Sequence, residues 1–263
     1  MRRAPSRPNA TRPGQPNAPY KTMLPYIAEF FGTALLILLG DGVCANVVLA
    51  KSKGNSSGWI VITTGWGLAV MVGVYSVASL SGAHLNPAIT VGLAAIGQFP
   101  WWKVAGYIVA QIAGGAVGGA LVWLTYFPHW KETPDANAKL SVFCTVPAIR
   151  CPIANFFCEM IGTTVLVFGA LAIPAKDNFT QPGWATGLGP LLIGLLIFAI
   201  GLSLGGPTGY AINPARDLGP RIAHAILPIA GKGGSDWGYA WVPIAGPIVG
   251  GVFGALSYKA LLG

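Results

Sequence analysis

Residues 209–221 read GYAINPARDLGPR, an arginine and an aspartate set in a region that is apolar for dozens of residues on either side. Pro214 directly follows Asn213, which keeps Asn213 out of the helical region and leaves its side chain able to cap what comes next. Proline suits the first helical position, because its missing N–H would have had no partner there. The pattern predicts a helix that starts at Asn213 in the middle of a membrane-like sequence. Lipid cannot satisfy the backbone groups such a start exposes, so the segment must be buried or line water. That is a re-entrant half-helix. The same signal occurs at residues 82–90, GAHLNPAIT, where Asn86, Pro87 and Ala88 match Asn213, Pro214 and Ala215. Two such half-helices pointing their N-termini at each other would make a pore.

The rest of the chain is a setting in which that could happen. Of 263 residues, 53% are hydrophobic and only 9% charged, against about 25% charged in a soluble domain. The mean hydropathy is +0.60. The 37 glycines suit close approach of helices in a bilayer. The net charge of +8 is no nucleic-acid footprint: Arg2, Arg3, Arg7, Arg12 and Lys21 lie in the N-terminal stretch, and the other basic residues are scattered over short loops. No cleavable signal peptide is expected, because a polar, proline-rich stretch precedes a first apolar run long enough to span.

Apolar runs of spanning length fall roughly at 24–48, 59–80, 102–126, 153–174, 186–205 and 239–262. The expected fold is therefore an all-α polytopic membrane protein: six transmembrane helices plus two re-entrant half-helices in one channel domain, 23–263, behind a disordered tail, 1–22. An even number of spans puts both termini on one side. Lys103, Lys176 and Lys259 fall on that side and Lys51, Lys53, Lys131, Lys139, Arg150 and Lys232 on the other, so it is the basic tail that points the termini to the cytoplasm.

The halves repeat, the first at about 24–126 and the second at about 153–262. Asn86 recurs as Asn213 (127 residues on), Glu29-x-x-Gly32-Thr33 as Glu159-x-x-Gly162-Thr163 (130), and the Gly118-Gly119 pair as Gly250-Gly251 (132). Three landmarks in the same order are hard to assign to biased composition. Each repeat holds an odd number of spans, so the halves lie inverted in the membrane, and the linker around 127–152 joins them on the outside.

On these residues the chain resembles the major intrinsic proteins, the aquaporins and aquaglyceroporins, and within them the bacterial glycerol uptake facilitators. SGAHLNPAIT at 81–90, TGYAINPARDLGPR at 208–221, GPLLIGLLI at 189–197 and the paired Glu-x-x-Gly-Thr carry the likeness. It implies one pore per subunit, a homotetramer in the bacterial cell membrane, and passive passage of glycerol, related small polyols and water, with no cofactor and no metal. The alternatives are a water-selective channel and a proton-coupled carrier. An enzyme is not expected, since no nucleophile–base pair, phosphate loop or metal-binding spacing is found.

Physical chemistry assigns roles within that picture. Each half-helix N-terminus carries about half a positive elementary charge, and two facing each other oppose cations, protons included; aquaporin-type pores are a standard instance of such a barrier. The amide NH2 groups of Asn86 and Asn213 can donate to a passing oxygen. The non-helical residues ahead of each start, Gly82, Ala83 and His84 and then Gly209, Tyr210 and Ala211, should turn carbonyls to the lumen. Arg216 is an intramembrane charge and hence a functional candidate; its counterpart in the first repeat is Ile89. The family resemblance places Trp66, Gly201 and Tyr210 beside it in a selectivity filter. There Gly201 would leave space, Trp66 and Tyr210 would form an apolar corner, and Arg216 would bind hydroxyls. The resemblance further implies that Asp217 ties down a loop through backbone groups or Arg221 and that Glu29 and Glu159 accept hydrogen bonds from the non-helical backbone; the alternative for the two glutamates is a proton relay. His84 should pack behind the pore wall. Asp41 receives no assignment. Cys144 and Cys151 could pair as a disulfide or stay free.

Overall fold

A computed structural model describes residues 19–175, 178, 181 and 183–263. Among the described residues ten α-helices follow one another: α1 (Pro19–Val48), α2 (Trp59–Ser81), α3 (Pro87–Ala95), α4 (Trp101–Thr125), α5 (His129–Glu132), α6 (Ala136–Phe143), α7 (Pro152–Ala172), α8 (Trp184–Leu204), α9 (Pro214–Ile226) and α10 (Val242–Leu262). Six of them, α1, α2, α4, α7, α8 and α10, are long and apolar enough to cross a membrane. Helices α3 and α9 have 9 and 13 residues, about 14 and 20 Å at 1.5 Å per residue, too short for a hydrocarbon core of about 30 Å. They are the two half-helices.

The packing repeats with the sequence. Helix α1 packs on α2 and α4, and α7 on α8 and α10. Each half-helix lies against the last span of the other repeat, α3 on α10 and α9 on α4. Glycine makes these approaches possible. A Cβ added to Gly115 of α4 would lie 2.8 Å from the carbonyl oxygen of Ala215, and one on Gly251 of α10 would lie 2.5 Å from that of Ala88. The α2–α8 crossing is closer to symmetric still: Gly67 and Gly194 each face the other's carbonyl oxygen at 2.7 Å from the position a Cβ would take. In lipid, where apolar side chains gain little by leaving the solvent, such backbone contact is a main source of helix association.

The linker folds into α5 and α6, and Lys139, 3% exposed, donates from Nζ to the carbonyl of Ala230 at 2.5 Å. The backbone of α1 is helical from Pro19, within the stretch 1–22 read as a tail; residues 1–18, like Lys176, lie outside the described residues. The four cysteines are free, Cys144 buried and Cys151 exposed.

Candidate functional site

Both half-helices start as their Asn-Pro pairs dictate. Asn86 and Asn213 have extended backbones (φ −158° and −156°), with proline opening the helix behind each. Asn86 Oδ1 accepts from the N–H of Ala88 at 2.8 Å, and Asn213 Oδ1 from those of Ala215 and Arg216 at 3.0 and 3.2 Å. The amide nitrogens then cross between the repeats. Asn86 Nδ2 donates to the carbonyl of Ile212, and Asn213 Nδ2 to that of Leu85, both at 2.8 Å. This reciprocal pair ties the two helix starts together and commits one N–H of each amide; the second remains for the cavity that both asparagines line.

The segments leading into the helices are matched residue for residue. Gly82, Ala83 and Leu85 have positive φ (85°, 49° and 49°), and so do Gly209, Tyr210 and Ile212 (82°, 38° and 41°). Left-handed backbone at a non-glycine residue costs on the order of 1–3 kcal/mol and persists only where its surroundings enforce it. Two buried carboxylates supply the enforcement. Glu29 accepts from the N–H groups of His84 (2.9 Å) and Leu85 (2.7 Å), from Ser81 Oγ and from Gln111 Nε2. Glu159 accepts from those of Ala211 (3.0 Å) and Ile212 (2.8 Å). His84 packs its ring against Phe99 and Tyr107, at centroid distances of 4.7 and 5.0 Å.

Two cavities run through this region. The larger, about 240 Å³, is lined by Gly82, Ala83, His84, Asn86, Ala211 and Asn213 among others, and by an apolar wall that includes Val70, Val74, Ile193 and Ile197. The smaller, about 170 Å³, is lined by Cys44, Trp59, Cys144 and Gly209, among others. Trp66, Tyr210 and Arg216 line both and so stand where one cavity gives way to the other. The Arg216 guanidinium carbon lies 4.0 Å from the centroid of the Trp66 ring, whose Nε1 donates to Cys44 Sγ at 3.3 Å. Gly201 is placed differently from expectation. A Cβ there would come within 2.8 Å of Tyr210 Cζ and 2.8 Å of Thr63 Cγ2, so the space it leaves is occupied by the tyrosine. Its carbonyl is taken by Trp59 Nε1 at 3.0 Å, and the Trp59 ring packs edge-on against Tyr210.

The loop around residue 145 is held by Asp217. Its Oδ2 accepts from the N–H and hydroxyl of Thr145 at 2.8 and 2.7 Å, while Arg221 Nε donates to its Oδ1 at 2.8 Å. Arg221, fully buried, also donates to the carbonyls of Ser235 and Asp236, binding two loops to α9. Trp59 and Asp41 are the residues that sequence reasoning left out. Asp41, fully buried on α1, accepts from Arg216 Nη1 at 3.4 Å. A signal existed: a buried intramembrane arginine calls for a counter-charge, and Asp41 is one of few acidic residues within the spans.

Spanning helices that enclose a partly polar path, with two helix starts tied tip to tip inside it, define a membrane channel rather than an enzyme. The chain belongs to the major intrinsic protein family, whose description, "Major intrinsic protein", matches residues 19–258. It is 66% identical over 236 residues to a probable glycerol uptake facilitator protein of Thermotoga maritima, covering 90% of this chain and 98% of that one. It is 60% identical to glycerol uptake facilitator protein 3 of Lactiplantibacillus plantarum, covering 90% and 97%. Among solved structures, the aquaglyceroporin from Plasmodium falciparum superimposes with a TM-score of 0.79 at 33% identity, covering 91% of this chain and 96% of that one.

Proposed function

We propose that this chain is a passive channel for glycerol and related small uncharged polyols, with some water, that excludes protons and ions and works as a homotetramer with both termini cytoplasmic. The observation that carries the reading is the ring of Trp66, Tyr210 and Arg216 between the two cavities. It joins two aromatic faces to a guanidinium, which suits a solute with one carbon edge and one hydroxyl edge. A hydroxyl passing the ring exchanges its water partners for Arg216 donors, and the carbon edge meets Trp66 and Tyr210. Further along, the free N–H groups of Asn86 and Asn213 take over. Carbonyls of Gly82, Ala83, His84, Gly209, Tyr210 and Ala211 serve as acceptors on the way in and out. The paired helix N-termini, each about half a positive charge, oppose cations at the midpoint.

A proton-coupled carrier is disfavoured by what Glu29 and Glu159 already do. Each carboxylate is engaged by backbone N–H groups that hold the strained segments, which leaves no cycle in which it could release them. Stopped-flow light scattering on proteoliposomes tests the proposal. Glycerol entry should exceed that of protein-free vesicles and should not respond to an imposed pH gradient. Entry at the protein-free rate, or entry that needs the gradient, would rule it out.

A further inference from the structure

The pseudo-symmetry of the chain isolates one interaction that the channel reading alone does not require. Arg216 lies three residues beyond Asn213, and the residue three beyond Asn86 is Ile89. Asp41 lies twelve residues beyond Glu29, and the residue twelve beyond Glu159 is Leu171. The ion pair, which joins the two halves, is thus replaced at the matching positions by two aliphatic side chains, and both line the larger cavity. Arginine and aspartate are present together at one end of the path, and both are absent at the matching positions of the other end.

The geometry of the pair is that of a charge partner rather than a structural brace. The two side chains are 7% and 0% exposed. Asp41 Oδ1 meets Arg216 Nη1, which also points at the carbonyl of Phe143, at 3.4 Å in each case. Asp41 Oδ2 has no partner among the described residues. By contrast, Glu29, Glu159 and Asp217 each fix backbone N–H groups. Asp217 is in turn matched by Arg221 at 2.8 Å. With Asp41 ionised, the buried group of Arg216, Arg221, Asp41 and Asp217 sums to zero. Without it, one positive charge remains where the two cavities meet.

That surplus would matter because the rest of the pore already favours anions. Each helix N-terminus carries about half a positive charge, and two of them meet beside the path here. An uncompensated arginine in series with them would turn a barrier to cations into a route for anions. We propose that Asp41 is a specificity-determining residue of the constriction: it cancels the charge of Arg216 and draws Nη1 back toward α1, so that the guanidinium offers hydrogen bonds to neutral hydroxyls without concentrating small anions. The proposal rests on the channel reading above.

Chloride entry tests it, followed with a halide-quenched fluorophore trapped in proteoliposomes and with valinomycin carrying the balancing potassium. Asp41→Asn keeps the shape and removes the charge. Chloride entry should rise on the order of tenfold or more, as expected when a buried charge 3.4 Å from its partner is lost. Asp41→Glu, which restores the charge, should return entry toward the wild-type level. Should Asp41→Asn fail to assemble, Asp41→Ser, smaller and equally uncharged, carries the same expectation. Chloride entry equal to wild type in a folded, uncharged variant overturns the proposal, and so does an equal rise in Asp41→Glu. Glycerol flux measured in the same wild-type vesicles separates the two readings, since its absence would overturn the channel itself.

Discussion

Tyr210 carries a hydroxyl that nothing answers: its oxygen is buried and has no partner among the described residues. A buried unpaired hydroxyl costs roughly 1–3 kcal/mol in desolvation, so Tyr210→Phe should be neutral or stabilising. Thermal unfolding in detergent checks this, and a clear fall in midpoint would mean that the hydroxyl has a partner within the assembled protein. Glu159 should behave in the opposite way. Glutamine offers a single acceptor oxygen where the carboxylate presents two to Ala211 and Ile212. Glu159→Gln should lower stability by about 1–3 kcal/mol and slow glycerol, with no new dependence on a pH gradient. At this scale the sequence was informative wherever the repeat spoke twice. Glu29 and Glu159 could be read as a pair because they recur. Asp41 could not be placed, since its partner is 175 residues away and has no counterpart in the other half. Gly201 was read as open lumen because a missing side chain says nothing about which neighbour fills the space, and here it is Tyr210.

The half-helices carry the electrostatic argument, and their prediction belongs with them. Asn213→Asp would place a carboxylate against both helix N-termini, offsetting about half a charge from each. The variant should leak potassium or protons above the wild-type rate in a vesicle dye assay. If it conducts glycerol normally and still passes no cation, exclusion has another cause. The seating of these helices is sensitive to bulk as well. A Cβ on Gly251 would press on the carbonyl of Ala88 at 2.5 Å, so Gly251→Leu should displace α3 and reduce glycerol and water fluxes together, with loss of thermal stability. The existence and start of α3 and α9 were legible because Asn-Pro fixes local backbone geometry. The crossed amide bonds were not, since Asn86 to Ile212 and Asn213 to Leu85 join segments more than a hundred residues apart. Helices α5 and α6 were missed for a related reason: they are short and hold little apolar periodicity, and they owe their place to contacts such as Lys139 with Ala230.

Across the whole molecule, two inverted halves supply the same backbone scaffold and differ where selection has to occur. Six spans and two half-helices were visible in hydropathy and in the recurring landmarks, because a bilayer demands apolar length and the repeat demands matching spacing. Arg216 stood out as an intramembrane charge, but its company with Tyr210, six residues before it, and with Trp66, 150 residues before it, was legible only through family resemblance. The central claim is that this ring, with Gly201 making room for Tyr210, discriminates a polyol from water. Gly201→Ala tests it most directly. The added methyl would sit 2.8 Å from Tyr210 Cζ and should push the ring into the path. The glycerol-to-water flux ratio, measured by stopped flow at equal protein in the membrane, should then fall by roughly tenfold or more, the scale of a one-methylene change in a fitted site. An unchanged ratio in a well-folded variant, or an equal loss of both fluxes, would contradict the account.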